Sequence, residues 1–125
     1  MSPGVFIAVA VAGGFGAVCR LVLDGVIRAR TGGPLPWGTI TINLTGSFVL
    51  GVVTGLAVDH VVSESFRMVV GTGFLGGYTT FSTASFETVR LLQQRRWTSG
   101  VVNGFGVLVG ATCAAGLGLW LGGLF

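Results

Sequence analysis

Gly73-Phe-Leu-Gly-Gly-Tyr-Thr-Thr-Phe-Ser-Thr83 is the stretch that decides the fold of this 125-residue chain. It lies inside an apolar segment, Phe66 to about Leu92, which is long enough to cross a bilayer. Adjacent glycines followed by closely spaced hydroxyl side chains make a poor uninterrupted helix against lipid. These hydroxyl residues are Thr79, Thr80, Ser82, Thr83 and Ser85. We therefore predict a helix that is broken mid-membrane; the alternative is a kinked helix whose hydroxyls bond back to their own turn.

Three further apolar segments surround this one, over Gly4 to about Val26, Trp37 to Val58 and Gly100 to Phe125. The whole chain is 51% hydrophobic and only 9% charged, whereas a soluble domain carries about a quarter of its residues as charges. The composition predicts an all-α membrane protein with four transmembrane helices, in which residues 1–125 form a single domain. A secretory signal in the first segment is the less favoured alternative, because no basic residue precedes that segment.

The few charged residues exclude two broad classes of function. The net charge is +3, but no basic run is longer than Arg95-Arg96, so the chain lacks the dense basic face of a nucleic-acid-binding protein. His60 stands alone in a loop, and Cys19 and Cys113 lie in apolar segments without the spacing of a metal site. We therefore predict that the protein is not an enzyme and binds no nucleic acid.

A second polar pattern follows one face of the second apolar segment. Thr39, Asn43 and Ser47 recur every four residues, which places them on the same side of a helix. Amides and hydroxyls at such positions either bond to a neighbouring helix or line a hydrated path. Both interpretations stay open from the residues alone. Phe81, within the hydroxyl-rich stretch, could turn the positively polarised edge of its ring toward an anion.

Glycine provides the contacts between helices, since helices in lipid gain little from burying apolar surface against each other. The chain contains 23 glycines, many of which recur at a spacing of four. We predict close helix packing through four such pairs: Gly51 with Gly55, Gly100 with Gly104, Gly106 with Gly110, and Gly118 with Gly122.

Three ordered motifs resemble the bacterial fluoride channel family, called Fluc or CrcB. They read Gly13-Gly-Phe-Gly-Ala-Val-Cys-Arg20, Gly38-Thr-Ile-Thr-Ile-Asn-Leu-Thr-Gly-Ser-Phe48, and the quoted stretch from Gly73 to Thr83. The resemblance implies a four-helix subunit of the cell inner (plasma) membrane that pairs antiparallel with a second subunit. It also implies that such a dimer passively exports fluoride, and so reduces its toxicity, through two pores at the dimer interface.

The resemblance also implies roles for single residues. Backbone carbonyls of Gly76 and Thr79 would hold a structural sodium ion, Na+, at the dimer centre. Asn43 would donate from its amide to the anion, and the ring edge of Phe81 would border it. Ser82 and Thr83 match the polar track of the family, with Thr39 one turn before Asn43 on the same strip. Arg20 would raise the local anion concentration in a vestibule, unless it merely extends to the membrane interface.

Two features question simple self-pairing. The family usually has a second phenylalanine three residues after the first, where this chain has Ala84. Moreover, the basic residues favour one orientation with both termini outside, whereas a subunit that inserts in both directions should show little bias. Five of them lie in or beside the first and third loops (Arg28, Arg30, Arg90, Arg95 and Arg96), against Arg67 at the second. We expect either a homologous partner of opposite orientation or a homodimer in which another residue, such as Phe86, fills the gap.

Two alternatives belong to other functional classes. A small multidrug-type, proton-coupled exporter has a similar length, but it normally depends on an acidic residue deep in the first span, and Asp24 lies near the end of that span. If the polar third segment were purely structural, the protein would instead be a non-conducting assembly, or a non-conducting partner subunit of a heterodimeric channel.

Overall fold

The computed structural model describes all 125 residues, and the chain consists of helices joined by short non-helical segments, without a β-strand. In chain order the elements are α1 (Pro3–Arg30), α2 (Trp37–Val58), α3 (Glu64–Arg67), a π-helix (Met68–Leu75), α4 (Gly76–Tyr78), α5 (Ser82–Gln93) and α6 (Trp97–Gly122).

Three of these helices are long enough and apolar enough to cross a bilayer, namely α1 with 28 residues, α2 with 22 and α6 with 26. Large apolar side chains such as Phe6, Phe15 and Phe105 point outward along them, with about two thirds of their surface exposed. The chain is thus a multi-pass membrane protein with lipid-facing surfaces. Both α1 and α6 extend beyond the apolar segments: α1 runs on to Arg30 and α6 begins at Trp97.

The third segment is interrupted where the sequence predicts a break. Residues 64–78 form one continuous rod from α3, the π-helix and α4, and the backbone then becomes extended at Thr79 (φ −82°, ψ 160°) before α5 begins at Ser82. The alternative, in which hydroxyls of this segment bond back to their own turn, also holds in part. The Thr79 hydroxyl donates to the Leu75 carbonyl oxygen at 2.8 Å. The π-helical turns were not predicted.

Helices α2 and α6 meet through glycines on both sides. A Cβ atom at Gly51 would overlap the carbonyl oxygen of Ala115, and one at Gly118 would overlap that of Phe48. Gly55 and Gly122 belong to the same contact between α2 and α6, one helical turn further along. Two predicted glycine pairs therefore face each other, and their backbones approach more closely than any side chain would permit.

Of the other two predicted glycine pairs, one packs against a neighbouring helix and the other does not. Gly100 and Gly104 lie against side chains of α5, as a packing pair should. Gly106 has only Val102 of its own helix within 4.0 Å, so the pair of Gly106 and Gly110 forms no joint contact surface within the chain.

A glycine contact that the sequence analysis did not identify joins α1 to the broken segment. A Cβ at Gly77 would overlap the Gly13 carbonyl oxygen, and one at Gly16 would overlap that of Phe74. Gly73 fits against Val9 in the same way. The rod that ends at the break is therefore fixed to α1 backbone against backbone, and this contact positions the candidate site.

Candidate functional site

Asn43 of α2 binds the interrupted backbone directly. Its side-chain Nδ2 donates to the Thr80 carbonyl oxygen at 2.8 Å, and its Oδ1 accepts from the Thr80 backbone N–H at 2.9 Å. The amide, which is 8% exposed, replaces the helical partners that Thr80 loses at the break. Bonding between helices is thus one function of Asn43, and its second amide hydrogen is left for another acceptor.

The break also leaves main-chain acceptors without donors. Thr79 donates from its N–H to the Leu75 carbonyl oxygen, but no N–H or side chain of the chain donates to the carbonyl oxygens of Gly76 or Thr79. The reason is that the Thr80 N–H, which would continue the helix onto Gly76, is bonded to Asn43 instead. Carbonyl oxygens without a donor are the kind of ligand that hard cations prefer.

These two residues share an open depression with side chains of α2 and of the π-helix. The depression has a volume of about 460 Å³ and is lined mainly by small and polar residues: Ser47, Leu50, Thr54, Arg67, Gly71, Thr72, Leu75, Gly76 and Thr79. Arg67, at one side, donates to the Glu64 carboxylate.

Arg20 of α1 contacts the end of the same rod. Its Nε donates to the Gly77 carbonyl oxygen at 3.2 Å, across 57 residues of sequence. A cation is favourable there, because the carboxyl end of a helix carries a partial negative charge. Arg20 is half-buried.

On the other side of the break, an open groove runs between α2, α5 and α6. Its volume is about 500 Å³, and none of its lining residues is charged. The polar lining consists of Asn43, Ser47, Thr79, Thr80, Ser85, Thr88, Asn103 and Thr112. Phe81 projects at its edge with 87% of its surface exposed. The groove thus combines neutral polar groups with apolar side chains that form most of its surface, and an aromatic ring stands at its edge.

The remaining predicted residues lie near this groove but do not line it. Ser82 and Thr83 begin α5, where the Thr83 N–H donates to the Thr80 hydroxyl at 3.1 Å. Thr39 is only 3% exposed, one turn from Asn43 on α2. The structure thus brings Asn43, Thr79 and Phe81 together and places Thr39, Ser82 and Thr83 behind or beside them.

Asn103 is a groove residue that the sequence analysis missed. It is 2% exposed and donates from Nδ2 to the Thr88 hydroxyl at 2.8 Å, and Thr88 in turn donates to the Ala84 carbonyl oxygen. Like Asn43, it is an amide within an apolar span, which needs a partner or a hydrated path, and that signal is visible in the sequence.

Ala84 lines the groove three residues after Phe81, so the position without a second ring faces the same space as the first ring. Phe86 is 66% exposed and is not among the lining residues. Within a single subunit, no second ring borders the groove beside Phe81.

Comparison with known proteins agrees with these motifs. The family model described as "CrcB-like protein, Camphor Resistance (CrcB)" matches residues 7–119. A Leifsonia xyli subsp. xyli protein named "Fluoride-specific ion channel FluC 1" is 60% identical over 124 residues, which cover 99% of this chain and 90% of that protein. A Cutibacterium acnes protein named "Fluoride-specific ion channel FluC 2" is 44% identical over 115 residues, 91% of this chain and 94% of that protein. The chain belongs to the CrcB-like family.

Proposed function

We propose that this chain is a subunit of a fluoride-specific ion channel of the bacterial inner membrane, through which fluoride leaves the cell passively. The observation that carries the proposal is the groove without an ionised side chain, where one amide hydrogen of Asn43 and the hydroxyls of Ser47, Thr80 and Ser85 have no acceptor within the chain. Fluoride accepts hydrogen bonds strongly, so its water must be replaced by donors, while conduction requires that no single site hold it too tightly. Neutral donors meet both conditions.

Asn43 and Phe81 are the residues we place next to the ion. Asn43 has one amide hydrogen bonded to Thr80 and a second one available, and its orientation is fixed by the bidentate pair. The exposed ring of Phe81 lines the same groove, and its positively polarised edge would border the ion there. Thr39, Ser82 and Thr83 supply hydroxyls nearby, and Arg20 contributes positive charge at the vestibule.

The conducting unit is an antiparallel dimer of four-helix subunits, in which residues 64–93 form the broken third crossing between α2 and α6. The groove and the depression beside Gly76 are both open within one subunit. A second copy, or a homologous subunit, related by a two-fold axis would cover these openings and create two equivalent pores.

At the centre of this dimer we place a structural sodium ion on the backbone carbonyls of Gly76 and Thr79. The fit is chemical: both oxygens lack a donor, and two carbonyls from each subunit give four oxygen ligands for a hard cation without a carboxylate. A bound sodium ion would supply the positive charge that offsets four converging carbonyl dipoles, and so would join the subunits.

This assignment predicts a sodium-dependent assembly. Exchange of Na+ for the bulky cation N-methylglucamine should destabilise the purified dimer, because four carbonyl oxygens would then face each other unpaired. Thermal unfolding followed by size-exclusion chromatography measures the effect, and rescue should follow the Na+ concentration. Identical thermal midpoints in both salts would contradict a structural sodium ion.

The missing second ring leads to a further prediction about the partner. If a homologous subunit supplies it, the chain alone should conduct weakly, and Ala84→Phe should raise its fluoride efflux severalfold by restoring a ring in both pores. Efflux from liposomes containing the single chain, with and without the substitution, measures this difference. Ordinary flux in the unsubstituted homodimer, unchanged by Ala84→Phe, would contradict the need for a homologous partner.

Fluoride efflux from liposomes, compared with chloride efflux, tests the proposed function itself. The exporter alternative is disfavoured by Asp24, since its carboxylate accepts from Arg28 at 2.9 Å near the end of α1 instead of standing free within the span. An exporter would also require proton-coupled drug transport, which the same liposomes can measure.

A further inference from the structure

A second cavity of about 500 Å³ lies outside the groove, where the end of α1 and the α1–α2 loop meet the end of α5 and the start of α6. In contrast to the groove, it is rich in charge. Its lining residues are Arg28, Gly33, Pro34, Leu35, Pro36, Glu87, Arg90, Leu91, Gln94 and Arg96. We refer to it as the arginine cleft.

The positive charge of the cleft is only partly neutralised within the chain. Arg28 bonds to both acidic residues nearby, to Asp24 at 2.9 Å and to Glu87 at 2.8 Å. Arg90 and Arg96 have no carboxylate within ion-pairing distance. The cleft therefore keeps two guanidinium groups, each with several donors, for an external anion.

Two long helices also begin at this cleft. Helix α2 follows Pro36 and α6 follows Arg96, and neither helix has a side-chain hydrogen bond at its first turn. The amino ends of helices carry a partial positive charge and free N–H groups, which adds to the field of the arginines. Charge, cavity and helix ends thus favour the same kind of ligand.

The size and the position of the cleft define that ligand further. With a volume of about 500 Å³ the cleft has room for a group larger than a single small anion, since one water occupies about 30 Å³ in the liquid. The first residues of α2 and α6, Trp37 and Trp97, are 44% and 62% exposed, as is typical of side chains at the membrane–water interface. The headgroups of phospholipids lie at this depth.

We propose that the arginine cleft binds a phosphate group, and that its source is the headgroup of an anionic phospholipid. Arg90 and Arg96 contact the phosphate oxygens, whereas Arg28 binds one carboxylate oxygen of Glu87 and partly offsets its negative charge, and the other Glu87 oxygen has no partner within the chain. The site is separate from the proposed fluoride path and does not depend on it.

The test uses the purified full-length protein in a neutral detergent, with thermal unfolding followed by tryptophan fluorescence. Short-chain phosphatidylglycerol, short-chain phosphatidylcholine and inorganic phosphate are titrated separately at constant ionic strength. We expect phosphatidylglycerol to raise the midpoint by roughly 3 °C or more in a saturable way, and the other two probes to have little effect.

Arg90→Gln combined with Arg96→Gln should raise the phosphatidylglycerol concentration that gives half of this shift at least about tenfold, because two charge-assisted contacts are lost. Arg30→Gln is the matched control, since Arg30 lies in the last turn of α1 but does not line the cleft, and it should respond as the unmodified protein does. The single substitutions replace the double one if it does not fold.

Equal responses to phosphatidylglycerol and phosphatidylcholine would overturn the proposal, as would an equal loss in Arg30→Gln. A response to inorganic phosphate as large as that to the lipid would support the phosphate site but overturn its assignment to a lipid.

Discussion

Asn43→Asp is expected to lower fluoride efflux roughly a thousandfold. An ionised carboxylate about 4 Å from the anion would repel it by about 4 kcal/mol at an effective dielectric constant near 20, and each 1.4 kcal/mol corresponds to a factor of ten. The substitution also removes the N–H that donates to the Thr80 carbonyl oxygen, so the break loses one of its two side-chain bonds. Efflux from liposomes through the purified variant measures the combined effect.

Val58→Asp is the charge-matched control for this experiment. It adds the same carboxylate to the same helix, but at its exposed last residue, away from the groove. The control should keep nearly full efflux, and both variants should elute as the unmodified protein does in size-exclusion chromatography. If correctly assembled Asn43→Asp conducts at the original rate, Asn43 does not border the ion.

Gly16→Val should prevent stable folding of the subunit. Its Cβ would overlap the Phe74 carbonyl oxygen and lie 2.9 Å from the Tyr78 nitrogen, and both atoms belong to the backbone of the rod that ends at the break. Overpacking a well-fitted contact costs about 1–3 kcal/mol when side chains can adjust, and a backbone contact has less freedom to do so. We expect loss of most monodisperse protein after extraction, or a midpoint lowered by many degrees.

Gly14→Val provides the comparison on the same helix. A Cβ at Gly14 meets no atom of the chain within 4 Å, so this substitution adds the same bulk and the same β-branch without a clash in the subunit. It should leave yield and thermal midpoint close to those of the unmodified protein. Equal losses in both variants would mean that the glycines of α1 matter for a reason other than contact with the broken segment.

The sequence predicts the break well because its causes are local. Gly76-Gly77 lowers helix propensity, and the following threonine and serine hydroxyls compete for backbone bonds within a few residues. The π-helix from Met68 to Leu75 has no comparable local signal, since its wider turns depend on how the rod packs against α1.

The partners of the site residues were less accessible from sequence. The cost of a buried amide indicates that Asn43 must be bonded, but its partner Thr80 lies 37 positions away and is chosen by the packing of α2 against the break. Likewise, a spacing of four identifies glycines that can pack but not the helix they meet. For this reason the sequence did not predict that Gly106 lacks a neighbouring helix, or that Gly16 contacts Phe74.

Electrogenic fluoride efflux by the reconstituted protein tests the central claim most directly. Liposomes loaded with potassium fluoride are diluted into fluoride-free buffer, and efflux is followed with a fluoride electrode before and after valinomycin opens a path for potassium. A passive channel should release fluoride only after valinomycin is added, because uncompensated charge stops the ion, and liposomes loaded with potassium chloride and treated in the same way should release no chloride. Fluoride release that does not require valinomycin, or no release from the assembled protein with or without a homologous partner, would contradict a passive fluoride channel.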